Sequence, residues 1–155
     1  MSVDWDFGLM RASFGADRLW GIDYYFNQVP GVIRSTMGYC SDESQKINVL
    51  EIEYDPDLIN YDTLIKHYFR THDPTKQFRP QPMSNLRDFE SIILWHNNDQ
   101  NVMAQIVLEQ LQAKYQNKIQ TKIVQFKNFV EIGAEEKAVV EEKNKEISLS
   151  FSFEQ

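Results

Sequence analysis

The sequence predicts an α+β fold: a two-layer α/β sandwich with C-terminal additions, in one domain spanning residues 1–155. Three observations carry that expectation. The apolar pattern switches repeatedly between an alternating and a helical period, and strands and helices are interspersed rather than grouped. No apolar run approaches the ~18–20 residues of a membrane-spanning helix. No internal repeat or linker-like stretch divides the 155 residues, a length that buries a sizeable core without disulfides or metals.

The elements follow in order. Leu9–Phe14 reads as a short buried strand ending at Gly15–Ala16. Residues 20–28 place Trp20 and Tyr24 at helical spacing, and Pro30–Gly31 stops that helix. Val32–Tyr39 is rich in β-branched residues, as a strand is. The polar segment Ser41–Lys46 makes a turn, and Ile47–Tyr54 alternates in the manner of a half-buried strand. Asn60 suits the N-cap of a helix with Leu64, Ile65, Tyr68 and Phe69 on one face. That helix is expected to end near Asp73–Pro74, because proline restricts the residue before it. Residues 76–88 carry Pro80 and Pro82 without periodicity and read as a loop. Phe89–Trp95 is an apolar, central strand. Asn98–Asn117 is the longest helix, with Met103, Ile106, Val107 and Leu111 on one stripe. Thr121–Phe126 reads as a strand, Ala134–Glu146 as a charged helix and Ser148–Phe153 as a final strand.

The first six elements, β-α-β-β-α-β, have the order of a ferredoxin-like sandwich. There the first two strands run the same way, and their C-terminal ends share a rim with the start of the third. Arg18, Cys40 and the residues around Lys46–Asn48 are therefore expected at one edge.

The bulk chemistry narrows the partners. A net charge of −7 and a pI near 4.9 argue against nucleic acid and against an anionic membrane surface. The start, MSVDWDFGLM, lacks the basic flank and apolar stretch of a secretory signal. A single cysteine, Cys40, cannot close an internal disulfide, in keeping with a reducing, cytoplasmic setting. No cofactor is called for. His67 and His72 stand about 500° apart around a helix axis, face different sides, and have no ligand set with them, so no metal site is expected. In HDPT (72–75), Asp73 and Thr75 are suited to hydrogen-bonding a helix-terminating turn. The Glu/Lys run at 135–146 reads as a solvated helix face. The SLSFSF stretch at 148–153 suits either the edge of this sheet or a partner's, which leaves the oligomeric state open.

Several short motifs recur together. FGADRLWGIDYYFNQVPGV is followed by GY at 38–39, LEIEYDP at 50–56, HDPT at 72–75 and FESIILWHN at 89–97. In this order, across residues 10–136, the chain resembles the methionine sulfoxide reductase A family. The resemblance implies the ferredoxin-like sandwich. It also implies an ancestral activity, the thiol-dependent reduction of methionine-S-sulfoxide. In that family the first strand runs into Gly-Cys-Phe-Trp-Gly. The cysteine attacks the sulfoxide sulfur, becomes a sulfenic acid, and is regenerated by a second thiol or an external reductant. Here the same five positions read Asp17, Arg18, Leu19, Trp20 and Gly21. A guanidinium stays protonated and cannot attack.

The other family positions depart too. His-Ala-Glu, whose glutamic acid protonates the sulfoxide oxygen, corresponds to Lys46, Ile47 and Asn48. The preceding tyrosine-bearing segment is largely deleted between Tyr39 and Lys46. A family aspartate falls near Ser84 and a tyrosine on Phe89, which keeps the ring without the hydroxyl. AEE at 134–136 matches, but Lys137, Ala138 and Val139 follow it in place of Tyr-His-Gln. The expectation is a retained scaffold without the family's catalytic set.

What remains is a pocket of Arg18, Leu19, Trp20, Asn48 and Phe89, able to serve as a binding or interaction module for a methionine-containing peptide or small ligand. The plainer alternatives are that Trp20 packs the first helix on the sheet and that Arg18 pairs with Asp17 or Asp23. Cys40 is either a relocated nucleophile or an inert, partly buried side chain.

Overall fold

The computed structural model describes residues 8–16, 21–41, 46–76 and 91–131. Nine elements follow one another: β1 (Met10–Gly15), α1 (Ile22–Asn27), β2 (Val32–Ser41), β3 (Lys46–Tyr54), α2 (Tyr61–Phe69), β4 (Ile92–Trp95), α3 (Asn98–Gln112), β5 (Lys122–Gln125) and β6 (Val130–Glu131). The sheet order is β5-β4-β1-β3-β2-β6. Its middle, β4-β1-β3-β2, is the antiparallel ferredoxin-like core that the element order predicted. β5 adds to β4 in parallel through α3, and β6 adds to the far edge on β2.

The helices lie on one face of this sheet. Alternation along the strands sends Ala12, Phe14, Leu50, Ile52, Met37 and Ile93 to that face, where they meet Ile22, Phe26, Leu64, Ile65 and Tyr68. Phe14 is the hub: its ring stacks on Tyr68 at 4.5 Å and on Phe26 at 6.0 Å. Gly31 makes the turn out of α1 possible. It has φ 99°, and a β-carbon there would meet the Ile59 side chain at 2.7 Å.

The structure corrects several sequence expectations. β3 is not half-buried: Val49, Leu50, Glu51 and Ile52 are all buried, because β3 sits between β1 and β2 and its second face is covered as well. α2 ends at Phe69 rather than near Pro74. The carbonyl of Tyr68 takes a tight bond from the Thr71 backbone (3.0 Å) and another from the Thr71 hydroxyl (2.6 Å), and this closes the helix early. α3 ends at Gln112 rather than Asn117. The Gln112 side chain explains this, donating to the Asn117 carbonyl (2.9 Å) and accepting from the Ile119 amide (2.8 Å), which folds the chain back.

The inner stripe of α3 is Gln100, Ala104, Val107 and Leu111, whereas Met103 and Ile106 are 39% and 43% exposed. Gln100 takes an inward position because both ends of its amide are partnered, accepting from His96 N (2.9 Å) and donating to Arg11 O (2.7 Å). β6 has no counterpart in the sequence reading. Asn60 stands at the N-cap of α2 as expected, without a side-chain cap bond. Asp73 does organise the HDPT turn, accepting from Thr75 N (3.0 Å) and Thr75 Oγ1 (2.7 Å). The expected loop 76–88 beyond Lys76, the first residues of the expected strand 89–95, helix 134–146 and strand 148–153 lie outside the described residues.

Candidate functional site

The rim is assembled by strand register. Gly15 lies opposite Val49, Tyr39 opposite Asn48, and Cys40 opposite Ile47. One residue past β1, the Ala16 amide donates to the Asn48 carbonyl at 2.9 Å. The ends of β1 and β2 therefore do meet the start of β3 at one edge, as the topology demanded. α1 starts just beyond, after Gly21 in the left-handed region at φ 70°. Arg18, Leu19, Trp20 and Phe89 lie outside the described residues. Of the pocket set, Asn48 is described: it is half-buried and shares the helix-covered face with Leu50.

Cys40 reaches the same edge but the opposite face. Register puts it beside Ile47, one residue out of phase with Asn48. It belongs to a small apolar cluster with Val49, Ile92 and Leu94, which Phe126 and Phe129 cover. The residue is 7% exposed. Burial, and then the Glu51 charge, push its thiol up to about 11, while a hydrogen bond from the Asn128 backbone pulls weakly the other way. At pH 7 such a thiol is ionised in only about one molecule in ten thousand. Sequence reasoning placed Cys40 correctly along the strand but could not assign its face, because that depends on which side the helices cover.

The second face also holds a polar cluster that the motifs did not signal. Ser13, fully buried, bonds His96 Nε2 at 2.9 Å, and the His96 ring stacks on Phe126 at 4.1 Å. Burial and the nearby Arg11 charge lower the His96 pKa to about 4. Arg11 stands 3.6 Å from the buried Glu51 carboxylate, whose pKa burial raises more than Arg11 lowers it. Arg34 binds Glu53 through two contacts of 2.8 Å. The one available signal was positional: Ser13 and Glu51 occupy alternate positions of strands whose other positions are apolar.

The remaining histidines serve local structure. His67 Nδ1 bonds Tyr25 Oη at 2.8 Å. His72, lowered by burial to about 4, joins Ser91 Oγ at 2.7 Å, and Ser91 Oγ in turn meets Thr121 at 2.8 Å. Among the described residues no three His, Cys, Asp or Glu side chains are grouped to hold a metal ion. No described helix is long and apolar enough to cross a membrane.

Known proteins share this fold. The sequence profile of the family described as Peptide methionine sulfoxide reductase matches residues 10–148. A curated relative from Geobacter sulfurreducens, "Peptide methionine sulfoxide reductase MsrA", is 31% identical over 131 residues, covering 75% of this chain and 80% of the relative. A like-named relative from Methanosarcina mazei is 28% identical over 137 residues. The match covers 79% of this chain and 64% of that relative, so the chain spans under two thirds of its length.

Among solved structures, methionine sulfoxide reductase A of Corynebacterium diphtheriae superposes with a TM-score of 0.70 at 19% identity, over 87% of this chain and 75% of that one. Mxr1 from Saccharomyces cerevisiae, in complex with Trx2, superposes with a TM-score of 0.62 at 27% identity, over 84% of each chain. The superpositions share the sandwich and the profile spans nearly all of it, from β1 past β6: the chain belongs to the peptide methionine sulfoxide reductase family.

Proposed function

We propose that this chain keeps the family's scaffold and no longer reduces methionine-S-sulfoxide by the family's thiol mechanism. One observation carries the reading. The sequence has a single cysteine, and that residue reaches the rim edge but is buried on the sheet face away from the helices and from Asn48, with its thiol pushed up to about 11. Reduction through a sulfenic acid needs a thiolate at the substrate. At the positions that match the family's nucleophile and acid stand Arg18 and Asn48, a group that cannot attack and an amide that cannot donate an acidic proton.

The test is a methionine-S-sulfoxide peptide incubated with dithiothreitol and the protein, followed by product analysis. The expected rate equals the protein-free control for both wild type and Cys40→Ser. Turnover in the wild type that Cys40→Ser abolishes overturns the proposal and makes Cys40 the relocated nucleophile.

The retained rim supports a second reading, a binding module for a methionine-containing peptide or small ligand. Its support is Asn48, held half-buried on the helix-covered face where the β1 exit meets β3. Thermal-shift titration with methionine and methionine-sulfoxide peptides tests it. A shift in the wild type that Trp20→Ala removes is the expected result, and no shift with any of them refutes it.

A further inference from the structure

Pairing of β1 with β4 stops early. Ser13 lies opposite Leu94 and Phe14 opposite Ile93, so the next step would put Gly15 opposite Ile92. That pair is not formed directly. The Tyr68 hydroxyl stands between its partners, donating to Gly15 O at 2.6 Å and accepting from Ile92 N at 3.1 Å. A phenol offers one donor and accepts through its oxygen lone pairs, so it completes both backbone groups where the ladder register ends.

The ring behind the hydroxyl is fixed. Tyr68 is fully buried, stacked on Phe14 at 4.5 Å and against His72 at 4.6 Å. His72 bonds Ser91, the residue before Ile92, so the start of β4 is held twice from the end of α2. Gly15 is the last residue of β1, and Ala16 beyond it binds Asn48 at the rim.

We propose that Tyr68 is a positioning residue for the rim: its hydroxyl is a wedge in the β1–β4 ladder that sets how far the end of β1 stands from the start of β4. Ala16, which follows that end, bonds the Asn48 carbonyl, so the wedge fixes this part of the rim whether or not the site turns over a substrate. The proposal goes beyond the reading of lost thiol chemistry and does not depend on it. A phenylalanine would preserve the packing and remove the wedge.

The experiment is amide hydrogen exchange and 1H–15N NMR on the whole protein, wild type against Tyr68→Phe. Without the bridge, either the Ile92 amide loses its partner and exchanges roughly ten- to a hundredfold faster than the global stability change accounts for, or the strands close and shift the Gly15, Ala16 and Asn48 amides. Either result supports the wedge. Unchanged Ile92 exchange together with unchanged rim amides overturns it and leaves Tyr68 as packing alone. A second measurement keeps the proposal exposed if Tyr68→Phe does not fold. The wild-type hydroxyl proton should be seen as a slowly exchanging signal with a cross-relaxation contact to the Ile92 amide, and absence of that contact also overturns the proposal.

Discussion

The two faces of the sheet differ in chemistry more than in burial. The helix-covered face is apolar and aromatic, built from Phe14, Leu50 and Ile52 against Phe26, Leu64 and Tyr68. The other face buries Ser13, Glu51 and Cys40, with Phe126 and Phe129 among the described residues that cover it. A β-strand offers both faces in alternation, so one residue of phase separates Asn48 at the rim from the inert environment of Cys40. Residues adjacent in register at one edge can thus share an address and no chemistry. On the proposed reading, this separation is what would keep Cys40 from standing in for the family's nucleophile.

The sharpest break of the comparison is in the apolar face. Phe14→Ala removes the ring on which Tyr68 and Phe26 stack and leaves a cavity where three elements meet. The expected loss is about 3–5 kcal/mol, measured by chemical denaturation. Cys40→Ser on the opposite face should cost visibly less, since the Asn128 backbone already offers the hydroxyl a polar partner. Equal losses would mean that the packing of the second face contributes as much as the helices.

Acid should test both faces next. His72 lies at the end of α2 and His96 on the second face, and burial lowers each to about 4 from an ordinary 6.5. Between those values the unfolded chain takes up protons that the folded chain refuses, so stability falls as pH drops from about 6.5 towards 4. Each histidine accounts for up to about 3 kcal/mol of that loss. His96→Gln should flatten the acid limb of a stability–pH curve by one proton, and His72→Gln by the other. A curve left unchanged by His96→Gln would show that its ring is already charged when folded.

The contrast also marks what the sequence could disclose. Element order and rim were legible because Pro30–Gly31, the β-branched run at 32–39 and the 64–69 helix face are local signals, and the order of elements fixes strand direction. Early helix ends were not legible. Thr71 and Gln112 stop α2 and α3 through side-chain bonds that have no periodicity. Nor was the true α3 stripe, because Gln100 is polar and becomes an inner residue only where His96 and Arg11 offer it partners. The expected departures at 18 and 48 rest on the family's motif alone, since no local signal marks them. The face of Cys40, and the way Tyr68 enters the ladder, exist only once the sheet is assembled.

A smaller effect probes the cover itself. Gly38 lies under the Phe129 ring and the Val130 carbonyl, and a β-carbon there would collide with both. Gly38→Ala should displace the two-residue β6 from β2 at a cost of about 1–3 kcal/mol. The more telling readout is Cys40, whose reaction with a disulfide reagent should accelerate at least about tenfold as the cover loosens. Unchanged thiol reactivity would mean that the shielding of Cys40 does not depend on β6.

The smallest expected effect concerns the charged pair beneath that face. Glu51 is 8% exposed, one carboxylate oxygen has no hydrogen bond, and Arg11 approaches only to 3.6 Å. Burial is the leading cause acting on this carboxyl and raises its pKa, with Arg11 offsetting part of the shift. A raised carboxyl contributes stability while protonated and loses it as pH rises through its folded pKa, so ionising Glu51 is a net cost that Arg11, and then Arg34, reduce. Glu51→Gln should therefore stay within about 1 kcal/mol of wild type at pH 7, whereas Arg11→Met removes the larger of the two positive charges that offset the carboxylate and should be the more damaging of the two. Denaturant titrations of both variants at pH 7 decide it. If Glu51→Gln proved the worse, the pair would be a net stabiliser, and the second face would be held by its charges rather than in spite of them.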